Sequence, residues 1–76
     1  MAPKKSAANR ALGEAIRALR KKLGCTQEEF AAKAGIDRSY YGSIERGEYN
    51  LTVDTLGTVA AGLGVSLAEL FERAGL

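Results

Sequence analysis

Apolar residues recur along this chain at the spacing of a helix face. Leu12, Ile16, Leu19 and Leu23 fall at i, i+4, i+7 and i+11, one stripe down a helix predicted over about residues 8–23. Gly24 follows where a left-handed stop is favoured. Thr26-Gln27-Glu28-Glu29 is a capping-box pattern, in which the threonine hydroxyl takes the Glu29 amide while Glu29 reaches back. It opens a second helix over about 27–34, with Phe30, Ala31 and Ala34 inward and Gly35 as its stop. Asp37 is the N-cap of a third helix over about 38–46, and Ile36 before it is placed for a hydrophobic staple. Tyr41 and Ile44 form its inner face, and Gly47 ends it. After a loop at 47–51, Thr52 caps a fourth helix over about 53–63, with Val53, Leu56, Val59, Ala60 and Leu63 inward and Gly64 beyond. Ser66-Leu67-Ala68-Glu69 repeats the capping-box pattern and opens a short fifth helix through about residue 74. No stretch alternates with a period of two, so the predicted class is all-α, five helices with short joints.

The joint between helices two and three holds the most information. Only Gly35, Ile36 and Asp37 separate them, which forces a sharp crossing rather than an antiparallel hairpin. Ala31 is small where the two helices must cross, and Gly35 accepts the positive φ of the turn. Phe30, Ala34, Ile36, Tyr41 and Ile44 supply buried contacts. These are the requirements of a helix-turn-helix over residues 27–46. Gly42, inside the third helix, costs about 1 kcal/mol relative to alanine, a cost tolerated where something approaches closely.

Composition narrows the function. Seventy-six residues make one domain, with residues 1–7 as a flexible basic tail and 8–76 as the folded unit. One cysteine and no histidine exclude an internal disulfide and a Cys/His metal site. Cys25 is read as a small buried hydrophobe. With no histidine, no nucleophile beside a base and no phosphate loop, catalysis is not expected. No apolar run approaches the roughly 20 residues that span a bilayer, and MAPKKSAANR lacks the apolar core of a secretory signal, so the expected compartment is the cytoplasm. The net charge is only +2, but residues 1–25 carry seven Lys/Arg against one acid, Glu14. That basic end suits phosphates, while the two later thirds carry more acids than bases. No cofactor, small-molecule ligand or membrane partner is implied.

The stretch from Leu19 to Phe71 contains G-x-T-Q-E-x-x-A-x-x-x-G, then I-E-R-G, then L-x-x-V-A-x-x-L-x-V-x-x-x-x-L-F. In these it resembles the lambda-repressor/Cro-like (Xre-type) helix-turn-helix regulators, across about residues 8–72. The run DRSYYGSIERGEYNLT is similar, within that family, to the controller proteins of restriction–modification systems. The resemblance implies a five-helix DNA-binding bundle and a role for each matching residue. Arg38, Ser39 and Ser43 match base-reading positions; Arg38 is long and forked, suited to guanine O6 and N7. Gln27 matches a phosphate-bonding position, where the free N–H groups of a helix start also favour an anion. Arg46 and Asn50 match backbone-contacting positions, and Tyr40, on the exposed side, suits a sugar-phosphate or a thymine methyl. Arg20 and Glu45 match a partly buried ion pair tying the first helix to the third.

The same resemblance implies a homodimer reading two half-sites of a (pseudo)palindromic operator about 34 Å apart, and autoregulation. Val65, Leu67, Leu70 and Phe71 exceed what one short helix needs and are the expected dimer interface. Two other functions suit the same architecture. An antitoxin would bind a toxin and repress its own operon, but the chain offers almost nothing beyond residue 72 for that contact. A protein-interaction adaptor would not need Arg38-Ser39 or a basic first helix.

Overall fold

The computed structural model describes residues 6–48 and 50–76. It contains α1 (Ala7–Lys22), α2 (Gln27–Ala34), α3 (Arg38–Glu45), α4 (Val53–Leu63) and α5 (Leu67–Arg73), with no strand among the described residues. Most of the predicted tail, residues 1–5, lies outside the described residues, as does Tyr49 of the predicted loop. Its last two positions do not: Ser6 caps α1 by accepting the Asn9 N–H at 3.0 Å, and Ala7 is already helical.

Each helix begins where a short polar side chain accepts an amide three residues on. Thr26 and Glu29 complete the reciprocal capping box, at 3.1 and 2.9 Å. Thr52 caps α4 by accepting the Thr55 N–H at 3.1 Å, without a reciprocal partner. Ser66 accepts the Glu69 N–H, but the second half of that expected box is absent, because the Glu69 carboxylate pairs with Arg73 one turn on. Gly35 and Gly64 end α2 and α4 at φ +72° and +77°, the left-handed region that glycine enters without a Cβ clash.

The core runs through all five helices: Leu12, Ile16 and Leu19 from α1, Phe30 and Ala31 from α2, Tyr41 and Ile44 from α3, Leu56, Val59, Ala60 and Leu63 from α4, and Leu70 from α5. α1 packs on α3, α4 and α5, so the first helix is the post against which α3 is set. Two predicted core residues are corrected. Leu23 is half exposed, because α1 stops at Lys22 and the chain turns away. Val53 is 71 % exposed; it is the first residue of α4, where the helix has only just begun to pack. Leu70 is also corrected: it is wholly buried within its own chain and has no surface to offer a second copy. Val65, Leu67 and Phe71 are partly buried against the same core and keep an outer edge.

Candidate nucleic-acid interface

The α2–α3 joint has the geometry its residues require. Ile36 N–H returns to the Ala31 carbonyl at 2.9 Å, closing the turn around Gly35, and Ala31 is buried where the helices meet. Asp37 accepts the Tyr40 N–H at 3.1 Å and fixes the start of α3. Across the crossing the Phe30 and Tyr41 rings lie 5.1 Å apart, tilted by 42°, within the range where aromatic pairs attract.

α3 divides sharply along its length. Tyr41, Gly42, Ser43, Ile44 and Glu45 are buried, whereas Arg38, Ser39 and Tyr40 are exposed. Only the first turn is presented outward, the part of a reading helix that reaches base edges in the major groove. Ser43, expected beside Arg38 and Ser39, is placed differently. It is 8 % exposed and its hydroxyl donates to the Ser39 carbonyl at 3.1 Å, satisfying it within the helix.

Beneath that turn lies a polar cluster. Glu45 accepts from Arg20 Nε at 2.7 Å and Nη2 at 3.1 Å, from Gln27 Nε2 at 2.8 Å, and from the Tyr41 hydroxyl. A carboxylate offers about four acceptor positions, and here all are used. Arg20 Nη1 donates to the Cys25 carbonyl at 2.7 Å, so the cluster also holds the α1–α2 joint. Burial pushes the Glu45 carboxyl up, but the hydrogen bonds from Arg20, Tyr41 and Gln27 outweigh it and hold it below its ordinary value. Burial, reinforced by the hydrogen bond to Glu45, raises the Tyr41 phenol well above its usual range, so it stays a neutral donor.

Gln27, predicted at a phosphate, therefore gives one amide N–H to Glu45. Its other amide hydrogen is not used in that bond. Arg46 crosses the outer side of α3 over Gly42: a Cβ added to Gly42 would come within 3.2 Å of Arg46 Nη1 and 3.8 Å of Gln27 Oε1. The missing side chain lets Gln27 and Arg46 approach one another. Arg46 also donates to Glu48, at 2.9 and 3.2 Å. Asn50 accepts from Asn9 at 2.8 Å, which ties the loop after α3 to the start of α1.

Sequence reasoning missed Gly13. A Cβ there would stand 2.7 Å from the Ile44 carbonyl oxygen and closer still to that of Glu45. α1 and α3 thus touch backbone to side-chain-free backbone at this point. A glycine amid good helix formers was the available signal.

An exposed, capped first turn on the second helix of a sharp pair, braced from behind by buried charge, defines a regulator of the helix-turn-helix class. The chain belongs to the helix-turn-helix family of transcriptional regulators: the family profile matches residues 16–70. It is 47% identical over 60 residues to control protein C.MunI of Mycoplasma sp, covering 78% of this chain and 81% of that protein. With control protein C.SmaI of Serratia marcescens it shares 40% over 65 residues, 86% of this chain and 77% of that one. Among solved structures, the restriction–modification controller protein C.Esp1396I, a tetramer in complex with its natural 35 base-pair operator, superposes with a TM-score of 0.82 at 36% identity, over 91% of each chain.

Proposed function

We propose that this protein binds duplex DNA as a homodimer at a (pseudo)palindromic operator, regulates its own transcription, and serves as the controller of a restriction–modification system. The observation that carries the reading is the division of α3, with Arg38, Ser39 and Tyr40 exposed in its first turn and the rest buried. Arg38 is the principal base reader, with Ser39 a weaker one. Ser43 sets the close approach of the helix rather than reading a base, because its hydroxyl is already donated within α3. Gln27, Tyr40, Arg46 and Asn50 position the backbone. The protein acts by binding, in the compartment that holds the DNA.

Supporting the dimer, Val65, Leu67 and Phe71 present partly buried apolar edges on one end of the chain, and Leu76 beside them is 57% exposed. The protomer measures 32 × 25 × 20 Å. Half-sites of a two-fold operator lie about one DNA turn apart, roughly 34 Å, a spacing comparable with the long dimension of one protomer. The test is a footprint on the DNA upstream of the chain's own coding sequence. A protected pair of symmetric half-sites is expected; uniform, sequence-independent protection would refute the operator reading.

A further inference from the structure

The outer face of α1 carries charge that the reading helix does not use. Arg10, Glu14, Arg17 and Lys21 follow one another at helical spacing and all four are exposed. Arg10, Glu14 and Arg17 line an open cleft together with Glu45 and Arg46, so this face of α1 meets the C-terminal end of α3. The start of α1 is held there. A Cβ on Gly47 would come within 2.8 Å of the Arg10 Cα, and Asn9 bonds Asn50 across the same junction.

Two arginines on this side have carboxylate partners: Arg20 with Glu45 and Arg46 with Glu48. Arg10 and Arg17 form no ion pair among the described residues, although Glu14 stands between them. Glu45, which also borders the cleft, has its acceptor positions filled by Arg20, Gln27 and Tyr41. The cleft thus gathers two uncommitted guanidinium groups next to Arg46, a residue placed at the DNA backbone above. A planar guanidinium matches a phosphate through paired N–H donors, and its charge persists at any working pH.

We infer that Arg10 and Arg17 bind phosphates of the DNA backbone next to those approached by Gln27 and Arg46. α1 then supplies a second line of backbone contacts beside the groove that α3 enters. This rests on the DNA-binding reading above and adds to it a surface outside the helix-turn-helix. Glu14, between the two arginines, opposes the phosphates and limits the grip.

The experiment is a fluorescence-anisotropy titration of the full chain on operator and non-operator duplexes, across about 50 to 200 mM salt. Four proteins are compared with wild type: Arg10→Ala with Arg17→Ala together, Glu14→Gln, Arg38→Ala and Lys22→Ala. Lys22 sits on the same helix but lines a cleft with Arg73 on the α5 side, so it controls for loss of charge alone. Each phosphate contact contributes about 0.9 to the slope of log affinity against log salt. The double variant is expected to lower that slope by about 1.8 and to weaken both duplexes by the same factor. Glu14→Gln strengthens both duplexes, Arg38→Ala weakens the operator alone, and Lys22→Ala leaves the slope at its wild-type value. An unchanged slope in the double variant, an equal fall per charge in Lys22→Ala, or no gain in Glu14→Gln overturns the inference while leaving the operator reading standing. A wild-type chain that binds no duplex overturns both.

Discussion

On the proposed function, Arg38 and Glu45 bear on DNA binding in separable ways. Arg38 is exposed on the first turn, so Arg38→Ala should leave the melting temperature near wild type. It should cost about 1–3 kcal/mol of operator affinity and relax preference at one base pair, a pattern that competition with single-base operator variants would detect. Glu45→Ala removes the acceptor shared by Arg20, Gln27 and Tyr41. Breaking a buried pair costs about 3–5 kcal/mol, against a total margin of roughly 4–11 kcal/mol for a chain of this length. Calorimetry should show a large fall in melting temperature, accompanied by weaker DNA binding. The charge also sets a pH dependence. Because the Glu45 carboxyl titrates lower in the fold than in the unfolded chain, its contribution is complete above the unfolded value of about 4.3 and is lost as pH falls through the folded value. The stability gap between wild type and Glu45→Gln should therefore be widest near neutrality and begin to narrow once pH falls below the unfolded value of about 4.3. The Arg20–Glu45 pair was legible from the resemblance. The Tyr41 oxygen was not, although Glu45 stands four residues on along the same helix. Assigning the carboxylate to one arginine overlooked its two further acceptor positions.

The helices themselves were legible almost to the residue, because Thr26, Asp37, Thr52 and Ser66 are explicit caps and Gly35 and Gly64 explicit stops. Cap chemistry is local, so it survives in sequence. Which side of a helix end is covered is not local. Val53 and Leu23 fit the apolar period of their helices, yet each sits at a terminus that its neighbours cover only in part. Gly13 was silent for the same reason: its meaning lies in the α3 carbonyls pressed against it. Two alanine substitutions separate these cases. Gly13→Ala drives a Cβ into the Ile44 and Glu45 carbonyls, and overpacking of this kind costs about 1–3 kcal/mol; it should also weaken operator binding by displacing α3. Gly57→Ala, inside α4 with nothing within 4 Å of the new Cβ, should instead stabilise by about 0.5–1 kcal/mol through helix propensity. Thermal melts of the two variants check both signs.

The surface proposed for association of two copies was the least legible feature. Val65, Leu67, Leu70 and Phe71 look alike as apolar letters, but burial separates Leu70, which closes the protomer core, from the other three, which keep an outer edge. Leu67→Glu should accordingly shift sedimentation toward monomer and weaken binding to a two-half-site operator more than to a single half-site. The most direct measurement of all is the affinity of the wild-type chain for its own upstream DNA against a shuffled duplex of equal length, at one fixed physiological salt concentration. A ratio of at least about 10³ in favour of the upstream DNA, with two chains per symmetric site at saturation, is expected. Equal affinity for the two duplexes, or no binding to either, would contradict the assignment of α3 as a base-reading helix.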